Sequence, residues 1–103
     1  METFALATLL DQHKESGKLY HEFLRVPSMN AGIYVLPANS EDPQQPHSQD
    51  EMYYVISGRA TFVCEGHADS PAIPGQTIYV EKGIPHRFTN IEEDLTILVI
   101  FAG

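Results

Sequence analysis

The chain has little that would let it hold nucleic acid, cross a bilayer or cross-link itself. Its 103 residues include only 6 Lys and Arg against 14 Asp and Glu, a formal net charge of −8. A surface of that sign repels nucleic acid and anionic lipid, and no basic cluster overrides it. The single cysteine, Cys64, excludes an intramolecular disulfide. It lies in a strand-like run, where a small buried hydrophobe is the default, and it lacks the electropositive setting a reactive thiol needs. No apolar run approaches the ~20 residues required to span a membrane. Met1–Leu10 also lacks the basic start and long apolar core of a signal peptide. The expectation is a cytoplasmic protein with neither a membrane nor a nucleic-acid partner.

What is present is patterning. A hydrophobic content of 43% in this length suits one globular domain with a single core. Phe4, Leu6, Ala7, Leu9 and Leu10 fall on one face of a short amphipathic helix over Phe4–Glu15, with Thr3 as N-cap and Gly17 as stop. This predicts a helical strap over residues 1–17 and a β-domain over residues 18–103. Leu19–Val26 alternates poorly but is rich in β-formers and ends at Pro27, and Ile33–Leu36 reads as a short buried strand. Arg59–Glu65 alternates with Ala60, Phe62 and Cys64 inward, Glu65-Gly66-His67 reads as a hairpin turn, and Thr77–Val80 is a further strand. Leu95–Phe101 is almost unbroken hydrocarbon, which predicts a strand buried on both faces. About eight strands in short, turn-punctuated steps are the pattern of an all-β sandwich or barrel.

Two stretches carry chemistry. The first runs from Gln45 to Gly58. If it is extended from its start, Gln45, His47, Gln49, Glu51, Tyr53 and Val55 share one face. Pro43 and Pro46 favour extended backbone at the residues before them, which supports that alternation. An imidazole, a carboxylate and amides then point one way, a donor set suited to a divalent metal. The second stretch, Gly75 to Asn90, runs a strand into a turn at Glu81–Gly83 and returns with His86, Phe88 and Asn90 on one face.

Together the two stretches resemble the paired motifs of the cupin family. His47, Glu51 and Gly58 match the first motif in spacing, although Gln45 stands where a first His is usual and the opening Gly is missing. Gly75, Gly83, His86 and Asn90 match the second, with Glu81 in place of a Pro. The resemblance implies a jelly-roll β-barrel with a metal inside, bound by His47, Glu51, His86 and Gln45. The metal would be one divalent transition ion, Fe, Mn, Ni or Zn. A homodimer is also implied, and the apolar Leu95–Phe101 run would offer surface for it.

The bland alternative is a barrel that has lost its metal. A buried carboxylate with no cation is costly, so Glu51 between two imidazoles is easier to accept with a metal present. Tyr53 and Phe88 are expected as pocket walls, and Met29 and Tyr34 at the mouth. Tyr53 is also the one nearby catalytic candidate, as a proton donor. Three functional readings remain open at this level. One is a metal-dependent enzyme of oxygenase, isomerase or lyase type acting on a small molecule. The others are a non-catalytic module binding a metal or small ligand, and a structural dimer with a vestigial pocket.

Overall fold

The computed structural model describes residues 1–103. One helix, α1 (Leu6–Ser16), precedes six strands: β1 (Tyr20–Val26), β2 (Met29–Leu36), β3 (Asp50–Cys64), β4 (Ser70–Ala72), β5 (Thr77–Val80) and β6 (His86–Ala102). The sheet order is β1-β2-β6-β3-β4, with β5 also paired to β3, and every pairing is antiparallel. The architecture is a jelly-roll β-barrel with a short N-terminal helix.

Six strands replace the expected eight because β3 and β6 each run through both halves of the barrel. They pair from Asp50↔Ala102 to Cys64↔His86, with register shifts between Val55 and Thr61 where the ribbon bends. Gly58 stands at that bend with φ 95°, and a Cβ there would lie 2.2 Å from the carbonyl oxygen of Asp94. Space and backbone conformation both require glycine at this position. Gly58→Ala is therefore expected to lower unfolding stability by at least ~2 kcal/mol, measured by urea denaturation.

The core follows from alternation. Tyr53, Val55, Ala60 and Phe62 of β3 meet Phe88, Ile91, Leu95, Ile97, Val99 and Phe101 of β6 inside the barrel. Leu95–Phe101 departs from expectation, since Thr96, Leu98 and Ile100 are only partly buried. Its strand has one core face and one half-covered outer face, because the run lacks a second layer along its whole length.

The helix also differs in detail. Its N-cap is Ala5, with no side-chain cap, so Thr3 does not fill that role; Gly17 does end the helix. The helix lies against β1 and β2 with Leu9 buried. That explains why Ala31 and Ile33 are buried although they face away from the barrel interior. None of its residues lines the main cavity, so it straps the outside and leaves the mouth uncovered.

Candidate metal centre

Three elements bring His47, Glu51 and His86 together. Glu51 is the second residue of β3, and His86 opens β6. His47 belongs to the loop between β2 and β3. The turn between β5 and β6 docks on the start of β3 through two backbone donors: Gly83 N–H to the His47 carbonyl at 2.8 Å, and Lys82 N–H to Asp50 Oδ1 at 2.9 Å. Those bonds set the two histidines on either side of one carboxylate. One ligand atom from each of the three residues lies within 4.8 Å of the others.

The carboxylate is the unusual member. Glu51 is 3% exposed, and its one close polar contact is the ion pair with His86. His86 Nε2 is 2.5 Å from Oε1 and His47 Nε2 is 4.0 Å from Oε2. Burying an anion with one of its oxygens unpaired is costly, and a cation between these three groups would offset that cost. The donor set, two imidazole nitrogens and one carboxylate, fits a divalent transition metal.

His86 is held for that role. Its Nδ1 lies 2.6 Å from the Ile84 carbonyl, which can only accept, so Nδ1 carries a proton. Nε2, 2.5 Å from Glu51 Oε1, presents a lone pair to a metal once its own proton is displaced. Burial by itself lowers the pKa of His86. The close contact with Glu51, the Ile84 carbonyl and the charges of Glu51 and Asp42 outweigh it and hold the pKa above the ordinary 6.5.

Tyr53 is 1% exposed; its hydroxyl donates to Gln44 Oε1 at 2.8 Å and lies 2.9 Å from His86 Nε2. Burial and the Glu51 charge push its pKa far above the ordinary tyrosine value, so the hydroxyl stays protonated.

Not every expected residue takes its place. Gln45 is exposed and lies off the cavity wall. The segment before β3 is a loop rather than an extended strand, and it turns Gln44 inward instead, held by Asp42 and Tyr53. The alternation therefore breaks between Gln44 and His47, while His47, Gln49, Glu51 and Tyr53 do share the cavity face. Phe88 is core rather than pocket wall, and Met29 lies outside the lining, whereas Tyr34 is part of it.

Asp42 was missed by sequence reasoning. Its Oδ1 accepts from the Tyr34 hydroxyl at 2.6 Å and from Gln44 N–H at 3.2 Å. Its Oδ2 accepts from the Gln44 amide and from Phe88 N–H at 2.9 Å. One carboxylate thus fastens the loop that carries His47 to both β2 and β6. An acid in a Pro-rich loop gives no such signal in sequence.

Above the centre opens a cavity of about 640 Å³. Its floor carries His47, Glu51 and Tyr53, and Phe101 packs its ring 4.8 Å from that of His47. His86 lies behind this floor, off the cavity wall.

Comparison with known proteins places this geometry. Residues 32–101 match the family described as the Cupin domain. The chain is 39% identical over 102 residues to the uncharacterized protein SCO3923 of Streptomyces coelicolor, a match covering 99% of this chain and 96% of that one. It is 29% identical over 76 residues to the dimethylsulfoniopropionate lyase DddQ of Ruegeria pomeroyi, covering 74% of this chain but only 38% of that protein. The crystal structure of that lyase superposes with a TM-score of 0.76 at 22% identity, covering 100% of this chain and 66% of the other. A Cupin 2 conserved barrel domain protein from Salinispora arenicola gives 0.77 at 18% identity, covering 100% and 89%. At such identities the structural likeness speaks for the fold alone.

Proposed function

The chain belongs to the cupin family, and on that premise we propose that it is a metal-dependent enzyme acting on a small molecule inside the barrel, of oxygenase, isomerase or lyase type. One divalent transition metal, Fe, Mn, Ni or Zn, would be held by His47, Glu51 and His86. The observation that carries this reading is Glu51, an acid buried at a cavity floor between two imidazoles, with His86 as its one close partner and Oε2 left without a hydrogen bond. A vestigial pocket has no physical reason to retain a group so costly in isolation. Bound there, the metal would supply Lewis-acid polarisation of a small ligand.

The chain's own residues take the other roles. Tyr53 is a hydrogen-bond donor to the ligand and not an acid: its raised pKa keeps it protonated, it lines the cavity, and its hydroxyl would turn from Gln44 to the ligand. The aromatic wall of Tyr34 and Phe101 limits water around the ligand and shapes the space it fills. Metal analysis of untagged protein comes first. Turnover and oxygen uptake are then followed with each metal across small acids, thiols and phenols. A stoichiometric metal with no turnover of any of them would favour the non-catalytic binding module.

The pKa of His86 gives a pH signature for the metal-free protein. Because the folded pKa is raised, the stabilisation from protonated His86 is complete below about pH 6.5, the ordinary value. It is lost as pH rises through the folded pKa. Chelated protein is thus expected to melt at progressively lower temperature as pH rises above that value. Metal affinity should climb over the same interval, since the metal displaces a proton from Nε2. Melting curves with and without chelator, taken between pH 6 and 9, check both slopes. Parallel curves would count against it.

The same reading includes a homodimer in the cytoplasm. Its support is the exposed outer face of β3 and β5, where Met52, Tyr54 and Tyr79 form an apolar patch on an otherwise acidic molecule. Sedimentation at micromolar concentration tests it, and a monomer there excludes it.

A further inference from the structure

Strand β1 contains an irregularity that changes what the cavity presents. Its pairing with β2 runs Tyr20↔Tyr34, His21↔Ile33 and Glu22↔Gly32, then Leu24↔Ala31 and Arg25↔Asn30, so Phe23 is an extra residue. Such a bulge reverses the alternation beyond it. Without it, Tyr20 and Glu22 would face the cavity and Arg25 would point away. With it, Arg25 joins them, and Tyr20, Glu22 and Arg25 all line the cavity with Asn30 opposite. The bulge is kept by packing on the other side, where the Phe23 ring lies 4.8 Å from that of Phe4.

This wall is polar and incompletely satisfied. The Tyr20 hydroxyl is buried and has no hydrogen-bond partner. Its ring end sits over Gly32, where a Cβ would lie 2.4 Å from Cζ and 2.5 Å from the hydroxyl oxygen. Glycine at this position thus makes the room Tyr20 occupies. Glu22 faces the same space, but Arg25 Nη2 lies 2.8 Å from its Oε1 and balances its charge. Lys18 also lines the cavity and has no acid paired to it. With Arg25 paired to Glu22, Lys18 is left as the uncompensated charge of this wall, on a molecule with net charge −8.

We infer that the β1 wall is a recognition subsite for a carboxylate on the ligand, with Tyr20 donating a hydrogen bond and Lys18 supplying the positive charge that Glu22 does not cancel. The inference rests on the proposed metal site, because the ligand is taken to span from that centre to this wall. It narrows the substrate class to small organic acids. Tyr20 is then a specificity-determining residue, and Gly32 acts through it.

The test uses the full chain, both metal-loaded and chelated. Calorimetric titration compares propionate with propionamide and benzoate with benzamide. At least one acid should bind ~10-fold more tightly than its amide, as a hydrogen bond to a charged group implies. Tyr20→Phe should lose that ~10-fold while keeping metal stoichiometry and melting temperature, since its hydroxyl has no internal partner to lose. Gly32→Ala should show the same loss by displacing the ring, and should add nothing in a Tyr20→Phe background. Equal binding of acids and amides, no binding of any probe, or unchanged affinity in Tyr20→Phe overturns the inference and leaves the metal reading standing. Conversely, a protein that holds no metal but binds acids in a Tyr20-dependent way retains this subsite and loses the proposed centre.

Discussion

Glu51→Gln will lose stoichiometric metal, with affinity falling ~100-fold or more, because even outer-shell partners of a metal ligand are worth 10–100-fold. The more informative part of this result concerns stability. A metal present at ~100 times its dissociation constant stabilises the folded chain by about 2.7 kcal/mol, which for a domain of this size is a melting shift on the order of 10–20 °C. Wild-type protein should show that shift on chelation, and Glu51→Gln should show none.

The chelated variant itself should be no less stable than chelated wild type, to within ~1 kcal/mol. The substitution removes an anion that is 3% exposed and has His86 as its one close partner, so the lost ion pair is offset by the relief of burying a charge. A chelated variant that melts far below chelated wild type would mean that the carboxylate serves the metal-free fold. In that case the two histidines would be its structural partners and the centre would be withdrawn.

The reason the convergence of His47, Glu51 and His86 was legible in sequence is that their spacing survives folding. His47 and Glu51 stand four apart where the chain enters β3, and His86 follows a turn whose Gly83 donates back to the His47 carbonyl. Gly58 was equally legible, since a bend that admits no Cβ leaves glycine as its trace. What stayed hidden depends on irregular backbone. Gln45 was read inward by extending strand parity into a loop, where two prolines and the pull of Asp42 on Gln44 set the side chains instead. Arg25 was hidden for the same reason in reverse: one bulged residue, Phe23, turns it inward, and alternation alone assigns it to solvent. Parity arguments hold within a ladder and fail at its ends and bulges.

Asp42 carries the second large effect. Asp42→Ala is expected to lower the unfolding free energy of chelated protein by ~3–4 kcal/mol, and metal affinity by ~10-fold. The first figure follows from the donors left behind. The Tyr34 hydroxyl and the Phe88 N–H both point at Asp42, and each buried donor without a partner costs ~1–3 kcal/mol. The second follows from Gln44, which Asp42 holds through both its backbone and its side chain, and which in turn accepts from Tyr53. With that clamp gone, the loop carrying His47 is fixed to β2 and β6 by fewer bonds, and a ligand that must be ordered on binding binds more weakly. Tyr34→Phe separates the two consequences. It removes one donor together with its need for a partner, so it should cost ~1 kcal/mol of stability and leave metal affinity unchanged. Urea denaturation in the presence of chelator reads the stability change without contribution from the metal, and a metal titration of the same variants reads the affinity. If Asp42→Ala weakened metal binding no more than Tyr34→Phe, the loop would be held by its prolines and the Gly83 bond, and the role assigned to Asp42 would be wrong.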